Sequence, residues 1–408
     1  MLVIMDEIKN KNVKRLILGV ITTIVLIGLV ICFVIAYNNT KVSNNQTNTI
    51  ATNDSNSSST TLNTNTNANA NANSSSATTK SDSKNLNITA GGSYDLSGEY
   101  ESITVNTNEE VNLNLNGVVI TNSNGPAINI EKAKKVTIVL SGTNKITAQT
   151  TEDLDGAIYS KADLVFSGEG SIEVKSNYDG IVSKDTLTIK NGTYTITSDD
   201  DGIRGKDYVE IDNGTFTINA GGDGIKSSND EDTSLGYVTI KGGTFNITAK
   251  SDGVQGITKA TITGGTINIK SSEGIEATYV KIDDGTINIE ASDDGINASK
   301  KSNISTPTVE INGGNITIKM GQGDTDAIDA NGNIYINGGK LDITANSPFD
   351  YDGTAQNNGG TIIVNGTQTN TITNQMMGGG MKGGQQGGTP GQMEQNGGMQ
   401  MNGGRRGR

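Results

Sequence analysis

The sequence contains no histidine and no tryptophan, and its one cysteine is Cys32. Without histidine, neither a Ser-His nor a Cys-His nucleophile nor the usual histidine-containing zinc site can be built. A single cysteine also excludes an intrachain disulfide. Any chemistry must therefore use carboxylates, lysine, tyrosine or arginine.

Hydrophobic residues are scarce for a chain of 408 residues: they make up 33% of it and aromatic residues 4%, whereas glycine occurs 53 times. This composition is too lean for several large irregular cores. A repetitive solenoid tolerates it, because a narrow core needs only a few isoleucine or valine side chains per coil. Residues 86–374 contain 20 Lys and Arg residues against 39 Asp and Glu residues, a net charge of −19, so nucleic acid is not expected as a partner.

The long apolar run of the chain is residues 16–36, which follow Lys14 and Arg15. About 20 apolar residues span a bilayer as a helix, and a positive flank keeps its side in the cytoplasm. We therefore predict that residues 1–37 form a cytoplasmic flank and a transmembrane signal-anchor of a single-pass cell-membrane protein with an extracellular body. The alternative is a signal peptide cleaved after Ala36, which would release a secreted protein. A lipoprotein is not expected, because Ile31 precedes Cys32 where a small residue is needed.

Two biased segments flank the middle of the chain. Residues 38–85 are almost wholly Asn, Thr, Ser and Ala, which predicts a flexible linker. Residues 375–408 are rich in Gly, Met and Gln and predict a disordered tail. The six methionines of this tail could alternatively bind a soft metal.

Between these segments, an acidic-Gly step recurs every 21 or 22 residues, as in DGIVSKDTLTIKNGTYTITSD from Asp179 and DGIRGKDYVEIDNGTFTINAG from Asp201. Each repeat contains two short runs, such as VEID and TFTIN, in which apolar and polar residues alternate. This alternation predicts strands with one buried face, and the Gly-containing steps suit corners that need positive φ. Two longer repeats carry inserts around residues 229–235 and 300–307.

The fixed repeat length favours identical coils stacked in parallel over a meander of antiparallel hairpins, whose turns would not recur at one spacing. We predict that residues 86–374 form one all-β domain, a single-stranded parallel β-helix with about 22 residues per coil. Residues 85–129 and 358–373 are the expected caps of its open ends. Three inward ladders are predicted: Ile181, Ile203, Ile225, Val254, Ile275 and Ile296; Ile189, Ile211, Ile240, Ile262, Ile282 and Ile311; and Ile196, Ile218, Ile247, Ile269, Ile289 and Ile318.

Stacking also places acidic side chains roughly 5 Å apart at one corner, where their repulsion is destabilising. A hard divalent cation with oxygen ligands would relieve it, and Ca²⁺ is the natural candidate outside a cell. Alternatively, some carboxylates accept turn N–H groups, and others pair with lysines such as Lys184, Lys206 and Lys226. The candidate metal ligands are Asp155, Asp179, Asp199, Asp200, Asp201, Asp223, Asp252, Glu273, Asp293, Asp294, Asp324, Asp326, Asp329, Asp350 and Asp352.

Two further groups of residues are candidates for function. Arg204 is the one arginine between the linker and the tail; it follows three aspartates and either pairs with them or acts as a base beside Ca²⁺, as in pectin lyases. Lys206 and Lys226 carry the same two interpretations. Tyrosines near the corners either stack on sugar rings or simply pack; they are Tyr159, Tyr178, Tyr208, Tyr237 and Tyr279.

The order of these features resembles a known family. The leader, the Asn/Ser/Thr spacer, the DGI…S/A…V-x-I…GGT-[IF]-x-I-x-A…D-G coils and the Gly/Met/Gln-rich tail are similar to the clostridial carbohydrate-binding domain-containing β-helix proteins. The resemblance covers residues 86–374. It implies the right-handed fold of polysaccharide lyases and Ca²⁺ held by the candidate metal ligands named above. It also implies binding of cellulose and of acidic sugars such as polygalacturonate without clear lyase activity.

The sequence thus predicts a non-catalytic, Ca²⁺-dependent carbohydrate-binding protein of the cell surface, whose partners are acidic or plant-type polysaccharides. Ca²⁺ held by corner carboxylates would bridge to uronate carboxylates and so overcome the negative charge of the body. One alternative is a pectate-type lyase with Arg204, Lys206 or Lys226 as the base. Another is a structural or adhesive envelope protein that binds no glycan.

Overall fold

The structure, a computed structural model, describes residues 77–78, 84–322 and 325–374. The predicted transmembrane segment, almost all of the predicted linker, the tail and Asp324 lie outside these residues. Within them, the chain forms 36 β-strands and no helix, so none of this part offers a helix that could cross a bilayer.

Strands of two to thirteen residues succeed one another along the described chain. The first eleven are β1 (Ala77–Thr78), β2 (Asn85–Ile88), β3 (Gly92–Tyr100), β4 (Ser102–Asn106), β5 (Glu110–Asn122), β6 (Ile128–Lys132), β7 (Lys135–Ser141), β8 (Thr143–Ala148), β9 (Gly156–Ser160), β10 (Asp163–Gly168) and β11 (Ser171–Ser176). The next twelve are β12 (Asp179–Ser183), β13 (Thr186–Ile189), β14 (Thr193–Ser198), β15 (Ile203–Gly205), β16 (Tyr208–Ile211), β17 (Thr215–Ala220), β18 (Ile225–Ser227), β19 (Tyr237–Ile240), β20 (Thr244–Ala249), β21 (Asp252–Gln255), β22 (Lys259–Ile262) and β23 (Thr266–Ser271). The remaining strands are β24 (Glu273–Ala277), β25 (Tyr279–Ile282), β26 (Thr286–Ala291), β27 (Ile296–Ala298), β28 (Thr308–Ile311), β29 (Asn315–Met320), β30 (Asp326–Ala330), β31 (Asn333–Ile336), β32 (Lys340–Thr344), β33 (Ser347–Tyr351), β34 (Ala355–Asn357), β35 (Thr361–Val364) and β36 (Thr367–Thr369).

From β9 onward each coil contributes three strands, and each strand pairs in parallel with its equivalent in the next coil. The first strands of the coils form a 12-stranded sheet with β2, β4 and β6. The second and third strands belong to one 24-stranded sheet, because the long β5 pairs with both β7 and β8. At the C-terminal end, β36 folds back antiparallel onto β35, within the predicted cap. The parallel stack predicted from the repeat spacing is therefore confirmed, in a β-helix-like solenoid.

The three predicted ladders lie in the core of the solenoid, beside further buried ladders such as that of Tyr194, Phe216 and Phe245. Along the first sheet, Ile181 aligns with Ile203, which aligns with Ile225, and the register continues through Ile296. The other two ladders align in the same way. All of these side chains are buried. Each contributes roughly 1.5–3 kcal/mol by leaving water, so a narrow core with a few apolar side chains per coil suffices.

Two kinds of glycine shape each coil. Gly192 and Gly214, between the second and third strands, have φ values of 121° and 137°, which non-glycine residues rarely adopt. Gly202, which follows a corner aspartate, is needed for a different reason. A Cβ atom on it would lie 2.6 Å from the carbonyl oxygen of Gly224 in the next coil. The Asp-Gly step is therefore set by the close stacking of the coils and not by positive φ.

Candidate functional site

One acidic residue per coil stands at the corner where the first strand begins. Asp179 Oδ1 accepts the backbone N–H of Asp201 at 2.9 Å, and Asp201 Oδ1 accepts that of Asp223 at 2.8 Å. The pattern continues from Asp223 to Asp252 at 2.9 Å. Each of these carboxylates thus caps the corner of the following coil, whereas the Asx-turn alternative expected a bond within its own turn. We call the repeated set the corner acids: Asp179, Asp201, Asp223, Asp252, Glu273, Asp294 and Asp326.

A second set of residues lies in register along the first strands, and each of them except Asp350 follows a corner acid by three positions. We call this set the partner ladder: Val182, Arg204, Lys226, Gln255, Glu276, Asn297, Asp329 and Asp350. Its charge changes sign along the solenoid, from two cations in the earlier coils to three acids in the later ones. The same change is present in the aligned repeats, but it was not predicted, because Arg204 and Lys226 were considered individually and not as members of one ladder.

Arg204 neutralises the first corner acids. Its Nε atom lies 2.7 Å from Asp179 Oδ2 and 3.5 Å from Asp201 Oδ2, and its Nη2 atom contacts Asp155 and Asp179. Burial lowers the pKa of Arg204, but the carboxylates of Asp179 and Asp155 raise it, and the net direction is upward. Lys184 adds a second cation, 3.1 Å from Asp155 Oδ2. Arg204 is therefore a charged bridge between coils.

Lys226 repeats this arrangement one coil later. Its Nζ atom lies 2.6 Å from Asp223 Oδ2 and 3.5 Å from Asp201 Oδ2. Burial lowers the pKa of Lys226, and the two carboxylates more than offset this, so that the pKa rises. Arg204 and Lys226 are thus held in the protonated form, which is not the form a general base needs. Lys206, the third candidate base, lies 3.5 Å from the exposed Glu231, away from the corner acids.

The later coils lack such cations on the partner ladder. Gln255 donates hydrogen bonds to Asp252 and, at 3.2 Å, to Glu276. Burial raises the pKa of Asp252 and the carboxylates of Asp223, Glu276 and Glu273 raise it further. Burial and the Glu276 carboxylate likewise raise the pKa of Glu273. One cation touches this group within the described residues: Lys301 Nζ lies 2.5 Å from Glu276 Oε2.

Two acidic clusters bring carboxylate oxygens within 4.8 Å of one another: Asp179, Asp200 and Asp201, and Asp252, Glu273 and Glu276. Arg204 already holds two members of the first cluster. The second cluster is next to Asn297, which is 8% exposed and whose Oδ1 atom has no hydrogen-bond partner among the described residues. The Nδ2 atom of Asn297 donates to Glu273 at 3.0 Å. Carboxylates with an adjacent amide oxygen are the donor set of a hard cation, so this cluster could hold a metal ion.

The remaining predicted metal ligands fall into two groups. Asp294 and Asp329 are half-buried, and burial followed by neighbouring carboxylates raises the pKa of each to about 7. Asp350 is in register with Asp329, and Asp326 bonds to Ser347 in the next coil. The members with exposed side chains, at the edge of the corner, are Asp199, Asp200, Asp293 and Asp352.

The candidate tyrosines lie on different surfaces. Tyr208 and Tyr237 stack with ring centroids 5.0 Å apart, and the register continues through Lys259 to Tyr279. Lys259 Nζ lies 5.6 Å from the centroid of the Tyr279 ring. These rings are half-buried at the start of the second strands, as is Tyr178 near the corner. Tyr159 is 3% exposed, so its ring offers no face to a ligand.

The chain matches a family model described as carbohydrate-binding domain-containing protein, over residues 82–322 and 272–388. A solved structure, that of the polysaccharide lyase-like protein from C. thermocellum as a gadolinium derivative, is 32% identical. The match covers 49% of this chain and 86% of that one, with a TM-score of 0.46. No curated protein matched the chain.

Proposed function

The chain belongs to the carbohydrate-binding domain-containing protein family, and on that premise we propose that it is a Ca²⁺-dependent, non-catalytic binding protein for acidic polysaccharides at the cell surface. The observation that carries the Ca²⁺ dependence is the cluster of Asp252, Glu273 and Glu276, whose carboxylates share one corner with Lys301 as the one cation beside them among the described residues. The solenoid is, in this proposal, a right-handed β-helix of the polysaccharide-lyase type.

The electrostatics of this cluster support a bound cation. Burial and mutual repulsion raise the pKa values of Asp252 and Glu273, which means that their charged forms are destabilised near neutral pH. A divalent cation removes that penalty by supplying a compensating charge at the carboxylate oxygens. Asn297 Oδ1 adds a buried acceptor next to the cluster.

Ca²⁺ at this corner also explains how an acidic body attracts an acidic polymer. Residues 86–374 carry a net charge of −19, which repels a polyuronate. A cation that is ligated on one side by protein carboxylates can accept a uronate carboxylate on the other. The protein's own charge then becomes part of the binding site.

The state of the candidate bases supports binding without catalysis. Both Arg204 and Lys226 have raised pKa values and bond to two or more aspartates, so removing a proton from a sugar would require breaking these pairs. Display at the membrane is proposed from the sequence: residues 16–36 supply the anchor and residues 38–85 the spacer.

Calorimetric titration of the full chain with polygalacturonate, in Ca²⁺ and then in chelator, tests this function. We expect saturable binding in Ca²⁺, none in chelator, and constant ultraviolet absorbance in a parallel sample. The variant Glu273→Gln/Glu276→Gln should lose the Ca²⁺-dependent binding. The control Glu99→Gln/Glu152→Gln removes the same charge at two exposed sites and should bind normally.

Each departure from that pattern has a definite meaning. Binding that is unchanged in chelator would overturn the Ca²⁺ bridge. Rising absorbance would show that an unsaturated product is released, and the protein would then be a lyase. No binding to any glycan under either condition would overturn the proposed function.

A further inference from the structure

A groove runs across four coils on the outer face of β20, β23, β26 and β29. It consists of two depressions of about 510 Å³ and 280 Å³, which are continuous because Thr248, Lys270 and Glu290 line both. Small buried residues form its floor; they are Ala249, Ser271 and Ala291. In the next coil, Met320 takes the place of Ala291 in the register and ends this run of small side chains.

Three lysines line the groove: Lys250, Lys270 and Lys319. All three side chains are exposed, and none forms an ion pair with a described residue. Glu290 lies between Lys270 and Lys319 in the register without pairing to either within 4 Å. The groove therefore carries two net positive charges on a body whose net charge is −19.

A row of amides borders the lysines. Asn268 Nδ2 donates to Asn246 Oδ1 at 3.0 Å, and Asn288 Nδ2 donates to Asn268 Oδ1 at 2.9 Å. Each amide in such a row keeps further donor or acceptor capacity for a ligand. Strand stacking repeats these groups at about 4.8 Å along the solenoid axis, so the surface suits a linear polymer with regularly spaced hydroxyls.

The groove residues also lie next, in the sequence, to the cluster of Asp252, Glu273 and Glu276. Lys250 precedes Asp252 by two residues, and Ser272, which lines the groove, directly precedes Glu273. Building on the proposed function, we propose that this groove is the binding subsite for a linear acidic polysaccharide lying along the solenoid axis. Lys250, Lys270 and Lys319 pair with its carboxylates, and the amide row of Asn246, Asn268 and Asn288 binds its hydroxyls.

Titration of the full chain with polygalacturonate in Ca²⁺ tests the subsite. Replacing all three lysines, Lys250→Gln/Lys270→Gln/Lys319→Gln, should weaken binding by roughly tenfold, because three partly exposed charge pairs are lost. The same variant should show a weaker dependence of affinity on salt. The single variant Glu290→Gln should bind more tightly than the wild type, since it removes the one negative charge between Lys270 and Lys319.

The matched control is Lys132→Gln/Lys161→Gln/Lys190→Gln, which removes three exposed, unpaired lysines elsewhere on the described solenoid and should retain the wild-type affinity. If the groove variant and this control bind equally well, the subsite is overturned while the proposed function stands. Wild-type binding to a neutral glucan but not to polygalacturonate would overturn both the subsite and the proposed preference for acidic polysaccharides. A wild type that binds no glycan would overturn both.

Discussion

The two halves of the corner place the same kind of acid in different surroundings. In the earlier coils, Asp179, Asp201 and Asp223 face Arg204 and Lys226. We call this the cation-paired half. In the later coils, which we call the acidic half, the partner ladder changes to glutamine, glutamate, asparagine and aspartate. The corner acids there are Asp252, Glu273, Asp294 and Asp326.

The difference shows that the repulsion between stacked carboxylates can be compensated in two ways on the same backbone. A buried carboxylate needs a compensating charge, which comes either from a side chain or from a bound cation. In the cation-paired half the compensating charge comes from Arg204 and Lys226, although burial still raises the pKa of Asp179 to about 7. Under the proposed function, the acidic half is the one in which a bound metal ion would change stability, and it also borders the lysine groove.

Of the changes that test the difference between the two halves, Arg204→Met is expected to have the largest effect on stability. Removing the guanidinium leaves Asp155, Asp179 and Asp201 without their shared partner, and we expect a loss of about 3–5 kcal/mol in the free energy of unfolding. Urea unfolding followed by circular dichroism measures it. Added Ca²⁺ should recover part of the loss, because the cation-paired half would then, like the acidic half, contain corner acids without a partner cation on the ladder.

The control for this variant is Lys206→Met, which removes a lysine whose partner is the exposed Glu231. It should cost less than about 1 kcal/mol. If Arg204→Met costs no more than this control, the bridge between coils does not stabilise the fold.

Substitutions in the two halves should change the stabilisation by Ca²⁺ differently. At about 100 times its dissociation constant, a cation that binds only the folded chain stabilises it by roughly 3 kcal/mol. We expect this gain in thermal unfolding of the wild type and of Asp179→Asn, since Asp179 lies in the cation-paired half. The variant Glu273→Gln/Glu276→Gln should show no gain. An equal response of all three proteins would place the cation elsewhere.

The pH dependence of stability tests the acidic half without metal. Burial raises the pKa of Asp294 and of Asp329 to about 7 from an ordinary value of 3.8, so both carboxyls hold their protons more tightly when folded. Unfolding releases these protons between the two pKa values, and stability therefore falls as pH rises from about 4 to about 7. In chelator, we expect the chain to be less stable at pH 7.5 than at pH 5 by roughly 2 kcal/mol, because the buried carboxyls relax and express only part of the shift.

Urea unfolding at the two pH values measures this slope, and Asp294→Asn/Asp329→Asn should reduce it. Ca²⁺ should also reduce it, by stabilising the charged carboxylates at the higher pH. Stability that rises over this interval in chelator would contradict the raised pKa values.

The smallest expected effect comes from placing a further cation on the partner ladder, in the coil that follows Lys226. Gln255→Lys places an ammonium group between Asp252 and Glu276, and we expect about 1 kcal/mol of added stability in chelator together with a smaller gain from Ca²⁺. Gln255→Met is the control, because it removes the amide without adding charge and should destabilise. If the lysine variant is the less stable of the two, the acidic half does not lack positive charge.

Much of the fold could be predicted from the sequence. The ladders from Ile181 to Ile296 and their two counterparts appear in the structure as predicted, even across the inserts around residues 229–235 and 300–307. Equal spacing makes equivalent residues neighbours in a parallel stack, and the two-residue period of a strand decides which of them face inward. Neither argument needs the details of a single side chain.

The site was predicted less completely. The sequence paired Arg204 with Asp199, Asp200 and Asp201. In the structure it contacts Asp201 at 3.5 Å, and its shorter bonds go to Asp155 and Asp179 from earlier coils. The groove lysines were not singled out at all. The sequence did contain a signal for them, since Lys270 and Lys319 occupy equivalent positions two coils apart. Only the contacts in the folded chain show that they form no ion pair with a described residue.

The sequence by itself determined the coil length, the inward ladders and the concentration of acid at one corner, because each follows from a spacing that repeats along the chain. Only the tertiary structure decided how that acid is compensated. Which carboxylate oxygen accepts the N–H of the next coil, and which cation reaches back to it, depends on side-chain conformation and on the offset between coils, and a one-dimensional pattern contains neither.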